Sequence, residues 1–223
     1  MKALITGVAG FVGTNLSKYL IDRGYEIVGV DLEDRHGRLK TSRLLEKDRF
    51  TLKQFDLAKG NIRASEFNDI DIIFHLAALP HVDYSFFYPR RVVQNNIDSL
   101  LAITELACVL DKPLILASSV EVYGGKDDRI YTEDDTLTPL SPYAASKVAS
   151  EAVVSTFVET KGLSATIFRF TNLYGQWQAP DRLLPRVITQ LITGNEITIE
   201  KGTNRDFVFI EDACEMLEKA IHL

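Results

Sequence analysis

The chain has 223 residues, of which 46% are hydrophobic and 25% are charged, and its formal net charge is −6 at pH 7. This length and composition predict a folded protein that buries a large core and is slightly longer than one average domain. The acidic balance argues against nucleic acid as the main partner, and no apolar run reaches the length that a membrane span needs, so neither partner is expected.

The chain begins with a short apolar segment, Lys2–Thr6, which predicts a strand buried on both faces in a parallel sheet. Because a strand stands where a signal peptide would be, a cytoplasmic location is expected. The motif TGVAGFVG follows and contains three evenly spaced glycines: Gly7, Gly10 and Gly13. Apolar residues at helical spacing then predict a helix over Phe11–Ile21 that stops before Gly24.

The three glycines therefore lie at a turn between a strand and a helix. A helix N-terminus offers unpaired N–H groups and the positive end of the helix dipole, so a turn without Cβ atoms lets a pyrophosphate approach the backbone. A tight turn with close packing of the helix explains the same glycines. Both interpretations stay open on the motif alone.

A second apolar segment, Tyr25–Val30, predicts another strand and is followed directly by Asp31. An acidic residue at this distance accepts hydrogen bonds from the adenosine ribose of a bound dinucleotide. Its charge repels a 2′-phosphate, which favours NAD over NADP. A basic run between Arg35 and Arg43 opposes that preference, although such runs more often form a solvated surface.

Short apolar segments then alternate with helical patterns along the chain. The predicted strands are Phe50–Lys53, Ile70–Leu76, Pro113–Ser118 and Ser164–Phe170. The predicted helices are Pro89–Leu110 and Ser141–Lys161. This rhythm predicts an α/β fold with a doubly wound parallel sheet, and the long loop-like stretch Gly124–Pro142 falls where such sheets bind ligands. Cys108 and Cys214 lack metal-ligand spacing, so reduced core thiols and no metal site are predicted.

The segment SPYAASKVASE places Tyr143 and Lys147 four residues apart, on one face of a predicted helix. An adjacent ammonium stabilises a phenolate and lowers the pKa of the phenol, so Tyr143 is able to take a proton from a substrate hydroxyl while hydride leaves the same carbon. Ser119 follows a strand and is predicted to hydrogen-bond the same hydroxyl. A Tyr-x-x-x-Lys pair is also a common surface contact, but the order of the motifs favours catalysis.

Taken in order, these motifs resemble those of the extended short-chain dehydrogenase/reductase family, and in particular its NAD-dependent nucleotide-sugar epimerases and dehydratases. The resemblance covers nearly the whole chain. It implies a Rossmann-type doubly wound parallel sheet over residues 1–170 and a small, partly missing C-terminal substrate lobe over residues 171–223, with some strands and helices returning to the core. Family members usually continue beyond the point where this chain stops, so an incomplete lobe is expected.

The resemblance also implies an NAD site. TGVAGFVG is similar to the family's cofactor turn, FDL to its adenine contact, HLAA to the strand end beneath the nicotinamide ribose, and NNIDSLL to the segment whose asparagine tethers the central helix. The implied cofactor-binding residues are Gly7, Gly10, Phe11, Val12, Gly13, Asp31, Leu32, Asp56, Leu57, Leu76, Ala77, Ala78, Asn96, Tyr143 and Lys147.

For catalysis, the resemblance implies a set formed by Ser119, Tyr143 and Lys147 in ASSVEVYG and PYAASK. RFTNLYG is similar to the segment whose asparagine, here Asn172, meets the sugar diphosphate, and NRDFVFIEDAC to the segment whose arginine, here Arg205, binds phosphate. The implied partner is a UDP- or dTDP-linked hexose. Helices of this family often pair into homodimers.

Glu121 departs from the pattern of the epimerases, which carry small or polar residues there. A glutamate at this position is typical of the 4,6-dehydratases and related decarboxylases, but these place aspartate or serine before it, whereas this chain has Val120. A carboxylate at this place is able to remove the C5 proton of a 4-keto sugar. A structural hydrogen bond at the strand end explains it equally simply.

We therefore expect an NAD-dependent enzyme that oxidises C4 of a nucleotide-linked hexose transiently, with Glu121 favouring a dehydratase. The alternatives are a 4-epimerase, a decarboxylase of nucleotide-linked uronates, and a catalytically silent NAD-binding regulator. His75 is expected to be a packed core histidine, and His81 to lie in a loop near the active site.

Overall fold

A computed structural model describes residues 1–32, 44, 46–60, 62–125, 130–199 and 204–222. Within these ranges, six strands form the main sheet: β1 Lys2–Thr6, β2 Glu26–Asp31, β3 Phe50–Gln54, β4 Ile72–His75, β5 Leu114–Ser119 and β6 Ala165–Phe170. They are all parallel and lie in the order β3-β2-β1-β4-β5-β6. This is the order of the doubly wound Rossmann sheet, as predicted.

The helices of the described residues are α1 Phe11–Ile21, α2 Val82–Phe87, α3 Pro89–Leu110, α4 Pro142–Lys161, α5 Leu183–Thr193 and α6 Ile210–Lys219. The predicted bounds of α1 and α3 are confirmed, and α4 starts one residue later than predicted. The sequence pattern did not predict the other three helices. It also did not predict two three-residue strands, β7 Asn172–Tyr174 and β8 Phe207–Phe209, which pair in parallel as a separate small sheet.

The core lies on both faces of the main sheet because its strands are apolar on both sides. Successive side chains of a strand point to opposite faces, so Ile5 enters the cluster that includes α1 and α6, whereas Leu4 enters the cluster that includes α3 and α4. Both residues are fully buried. The central strands are therefore covered by helices on each face, as a parallel sheet requires.

Helix α6 returns to the core next to α1, with Ile210, Cys214 and Leu217 buried. The prediction of a core thiol is confirmed for Cys214, whereas Cys108 is only half-buried, and both thiols are free. The division of the chain at residue 170 stays a prediction. Within the described ranges, no helix is long and apolar enough to cross a membrane.

Candidate active site

The three glycines form the turn between β1 and α1. A Cβ on Gly7, whose φ is +69°, would lie 2.8 Å from the Cα of Ala77, and a Cβ on Gly13 would lie 2.3 Å from the carbonyl oxygen of Gly7. Close packing therefore accounts for these two positions. Gly10 is exposed and is the N-cap of α1, and a Cβ there would also lie close to the carbonyl oxygen of Gly7, at 3.0 Å. The N-terminus of α1 thus opens to the surface at Gly10, ahead of Phe11 and Val12, and fits a phosphate.

Asp31 is the last residue of β2 and is half-buried. Its Oδ2 accepts a hydrogen bond of 2.8 Å from the backbone N–H of Ala9, so the carboxylate also holds the glycine turn in place. The basic run between Arg35 and Arg43 lies outside the described residues, and Leu32, before it, is 53% exposed.

The FDL segment follows β3 and leads into a 3₁₀ turn, Leu57–Lys59. Asp56 is the N-cap of this turn, and its Oδ1 accepts a hydrogen bond of 3.1 Å from the N–H of Ala58. The side chain of Leu57 is buried in the core. A contact of Leu57 with a cofactor would therefore involve its backbone.

A buried hydroxyl fixes the end of β4. The Oγ1 of Thr6 accepts hydrogen bonds from the N–H groups of Leu76 at 3.2 Å and Ala77 at 3.3 Å, and it lies 2.9 Å from Nδ1 of His75. Burial lowers the pKa of His75 to about 3, and nearby Lys147 acts in the same direction. The prediction of a packed histidine is confirmed, and the HLAA segment, with half-buried Ala78, is held rigidly.

Asn96, on α3, ties the loop after β4 to α4. Its Oδ1 accepts a hydrogen bond of 2.8 Å from the N–H of Leu79, and its Nδ2 donates to the hydroxyl of Ser146 at 3.0 Å. That hydroxyl donates in turn to the carbonyl oxygen of Tyr143. Since the amide is 3% exposed and bonded at both ends, these contacts support the tethering role.

The structure brings the predicted catalytic set together at the carboxyl end of β5. Ser119 is the last residue of β5, and its side chain lies close enough to the phenol of Tyr143 to lower the pKa of that phenol. Lys147 lies one helical turn beyond Tyr143, and its Nζ donates to the carbonyl oxygen of Ala117 at 2.7 Å. Tyr143 is 8% exposed and Lys147 6%, so a surface contact between these two residues is excluded.

The electrostatics of Tyr143 differ from the expectation. Burial raises the pKa of the phenol, and the carboxylate of Glu121 raises it further, whereas the hydroxyl of Ser119 and the charge of Arg182 lower it. Burial also lowers the pKa of Lys147 to about 8, against the opposing charge of Glu151. The expected lowering of the phenol pKa by Lys147 is therefore wrong for this arrangement, because burial dominates.

Glu121 lies on the 3₁₀ turn Val120–Tyr123 that follows β5. Its N–H donates to the Oγ of Ser119 at 3.2 Å, and its side chain is exposed. The turn therefore places a carboxylate beside the phenol of Tyr143, whose pKa it affects. The hydrogen bond to Ser119 uses the peptide N–H of Glu121. It therefore does not explain why the side chain at this position is a carboxylate.

Arg182 is a residue of this site that sequence reasoning missed. It is the N-cap of α5, and its Nη2 lies 3.4 Å from Nδ1 of His81. Burial lowers the pKa of His81, and the positive charge of Arg182 lowers it further. No local pattern marks Arg182, because its proximity to Tyr143 arises from the fold.

The two predicted substrate residues both lie at or near the start of a strand of the small sheet. The N–H and the Nδ2 of Asn172 both donate to the carbonyl oxygen of Asp206, at 3.1 and 3.2 Å. Arg205 precedes Asp206 and is exposed. Asn172 follows β6, whose Phe170 is in register with Ser119, so both residues lie near the carboxyl end of the sheet that carries the catalytic set.

The comparisons with known proteins agree with this geometry. A protein-family sequence model, described as the NAD dependent epimerase/dehydratase family, matches residues 3–223. A probable UDP-glucuronate 4-epimerase of Rhizobium meliloti is 33% identical over 100% of this chain and 69% of its own length. A dTDP-glucose 4,6-dehydratase of Xanthomonas campestris is 31% identical over 98% of this chain and 67% of its own.

Two similar solved structures are also a 4-epimerase and a 4,6-dehydratase. A UDP-glucuronic acid 4-epimerase from Bacillus cereus, in complex with UDP-glucuronic acid and NAD, has a TM-score of 0.89 and 30% identity over 100% of this chain and 74% of its own. DesIV, a dTDP-glucose 4,6-dehydratase from Streptomyces venezuelae with NAD and TYD bound, has a TM-score of 0.89 and 30% identity, over 97% of this chain and 70% of its own.

Proposed function

Because the chain belongs to the NAD-dependent epimerase/dehydratase family, we propose that it oxidises C4 of a UDP- or dTDP-linked hexose and then dehydrates the sugar or inverts C4. The observation that carries this proposal is the proximity of the buried side chains of Ser119 and Tyr143 at the carboxyl end of β5, with buried Lys147 one turn beyond. A sugar hydroxyl placed against these two oxygens has a proton acceptor and a donor at once. A silent regulator has no use for such a pair.

NAD is the cofactor of the family, and the residues present fit it. Exposed Gly10 at the N-terminus of α1 suits the pyrophosphate, and Asp31 suits the adenosine ribose. The HLAA segment and Lys147 would hold the nicotinamide ribose. When bound, the nicotinamide supplies a hydride acceptor and later the same hydride.

Tyr143 is the residue that moves the proton of the C4 hydroxyl. In the phenolate form it takes this proton during oxidation, and it returns the proton when the carbonyl is reduced. Ser119 orients the oxygen through its hydroxyl. Because burial raises the pKa of Tyr143, the phenolate is scarce at neutral pH, and the rate of C4 oxidation is expected to rise with pH.

Glu121 favours dehydration as the second step. Oxidation at C4 acidifies the C5 proton, and the exposed carboxylate near Tyr143 is able to remove it while the C6 hydroxyl departs. C6 of the resulting double bond then takes back the hydride and C5 takes a proton from solvent, so the net change is the loss of one water. Val120 carries no acid, so the proton for the departing hydroxyl comes from Glu121 itself or from water. Asn172 and Arg205 are the proposed ligands of the sugar diphosphate.

The second candidate is a 4-epimerase, which Val120 favours because no acid stands beside Glu121. Inversion at C4 requires rotation of the keto sugar and no base at C5. Turnover in deuterated water separates the candidates: a dehydratase product carries deuterium at C5, and an epimerase product does not. A homodimer and a cytoplasmic location stay predictions.

The variant Glu121→Gln tests the role of the carboxylate, because it keeps the size of the side chain and removes the base. In a dehydratase, C4 oxidation continues while elimination stops, and the absorbance of the reduced cofactor persists. An unchanged rate of water loss in this variant contradicts the base role. Unchanged inversion at C4 supports the epimerase.

A further inference from the structure

An ion pair between half-buried Arg169 and buried Glu151 lies next to the catalytic set. Arg169, on β6, donates to the carboxylate of Glu151 on α4, from Nε to both oxygens at 3.1 and 3.2 Å and from Nη2 at 2.8 Å. The hydroxyl of Ser118 donates to the same carboxylate. Glu151 is 5% exposed, so this fork of donors satisfies a charge that is costly to bury alone.

The same guanidinium extends to the turn that follows Ser119. Its Nη1 donates to the hydroxyl of Tyr123 at 2.7 Å and to the carbonyl oxygen of Glu133 at 2.9 Å. Tyr123 is the last residue of the 3₁₀ turn whose N-cap is Ser119. One side chain therefore joins the helix of the catalytic tyrosine and lysine to the turn of the catalytic serine and Glu121.

The backbone of that turn is held from its other side by Thr138. The N–H of Thr138 donates to the carbonyl oxygen of Val122 at 2.9 Å, and its Oγ1 donates to that of Tyr123 at 2.6 Å. A Cβ on Gly124 would lie 2.2 Å from the carbonyl oxygen of Thr138, so the loop is packed closely here. The turn is thus a fixed unit, and the guanidinium sets where this unit lies against α4.

We propose that Glu151, Arg169 and Tyr123 are positioning residues that set the distance between the hydroxyl of Ser119 and the phenol of Tyr143. The proposal rests on the proposed function, because it concerns the geometry of C4 oxidation. None of the three residues has to touch the sugar. A displacement of about 1 Å between catalytic groups lowers rates by up to about 100-fold, so a small shift of the turn is enough to matter.

The variant Tyr123→Phe tests the proposal with the least damage, because it removes one oxygen and keeps the buried ring. Tyr25→Phe is the matched control, since it removes a phenol whose pKa is raised by burial and by nearby Glu218 on α6, away from the catalytic helix. We expect Tyr123→Phe to lower kcat about tenfold, with KM and the affinity for NAD unchanged. The isotope effect of a C4-deuterated substrate rises in this variant, and Tyr25→Phe changes none of these quantities.

Hydrogen exchange gives a readout that does not depend on turnover. The N–H of Glu121 donates to the Oγ of Ser119, so its exchange reports on the turn. We expect faster exchange in Tyr123→Phe than in the wild type, and no change in Tyr25→Phe. Arg169→Lys keeps the charge beside Glu151 but cannot bridge to Tyr123, and it is expected to lower kcat further.

The two proposals fail in different ways. If the wild-type protein oxidises a sugar nucleotide and Tyr123→Phe matches Tyr25→Phe in kcat, isotope effect and exchange, the positioning role alone is overturned. If the wild type binds NAD but oxidises no UDP- or dTDP-hexose, the proposed function is overturned, and the positioning role with it. A loss of kcat with slowed C4 oxidation and faster exchange in Tyr123→Phe supports both.

Discussion

The main sheet and the small sheet with α5 are built very differently. In β1, Ala3, Leu4 and Ile5 are fully buried. All eleven residues of α5 are described and none is buried, and its Leu191 and Ile192 are 63% and 81% exposed. Strands β7 and β8 have three residues each, and Phe207 and Phe209 are exposed.

This difference in burial corresponds to different roles of the two regions in the proposed reaction. Proton and hydride transfer at C4 need fixed distances, and Ser119, Tyr143 and Lys147 lie on the buried elements. Asn172, Arg205 and Arg182 lie on the exposed ones, where the sugar diphosphate is proposed to bind. The buried region is therefore expected to set the chemistry, and the exposed region to set the choice of substrate.

Removal of the phenolic oxygen is expected to have the largest effect. Tyr143→Phe keeps the ring in its buried place, so NAD binding by calorimetry is expected to stay near the wild-type value while kcat falls by at least about 1,000-fold. Lys147→Ala is expected to damage both binding and turnover. Near-full activity of Tyr143→Phe on the true substrate contradicts the proton-transfer role.

A methyl group in the glycine turn tests the rigidity of the buried region. The Cβ of Gly13→Ala would meet the carbonyl oxygen of Gly7 at 2.3 Å, so α1 has to move, at a cost of about 1–3 kcal/mol in the free energy of unfolding. The affinity for NAD is expected to fall as well. Ile192→Ala in α5 is the control, with a change below about 0.5 kcal/mol. Equal losses in urea denaturation would remove the contrast between the two regions.

Lys147 gives a pH test with a defined sign. Its pKa is about 8 in the folded protein and 10.5 ordinarily, so between these values the unfolded chain binds more protons and wild-type stability rises with pH. Lys147→Met lacks this rise and is expected to be more stable than the wild type by roughly 1–3 kcal/mol near pH 7. Urea denaturation at several pH values measures the difference. If the free energy of unfolding changes with pH equally in both proteins, burial does not lower the pKa of Lys147.

A charge on the exposed region is expected to affect binding alone. Arg205→Ala removes a proposed phosphate ligand, so KM for the sugar nucleotide rises about tenfold, which corresponds to about 1.4 kcal/mol. The affinity for NAD and kcat stay close to wild type. Arg186→Ala, an exposed arginine on α5, is the control. A fall in kcat without a change in KM places Arg205 outside substrate binding.

The same contrast governs what the sequence predicts. Strand β1 and helix α3 are long and regular enough for their periods to show, and they lie where predicted. Strands β7 and β8 are too short for a period of two to be recognised. They form because Asn172 and Asp206, far apart in sequence, meet in space.

Within the site, the motifs correctly brought Ser119 and Tyr143 together. The predicted direction of the shift in the pKa of the phenol is wrong, because the burial of Tyr143 depends on the whole fold and not on the i, i+4 spacing. Arg182 and the link from Arg169 to Tyr123 were not predicted, since each joins segments whose sequence separation carries no signal. Asp31 was predicted as a ribose ligand, and its hydrogen bond to Ala9 adds a structural role.

The most direct test of the central claim is incubation of the wild-type protein and NAD with a set of UDP- and dTDP-hexoses, followed by mass spectrometry and NMR of the sugar. The account predicts that at least one sugar nucleotide loses one water, or keeps its mass with C4 inverted, and that the total of oxidised and reduced cofactor stays constant without net consumption of NAD. A protein that binds NAD tightly, yet leaves every sugar nucleotide unchanged and never forms reduced cofactor, contradicts it.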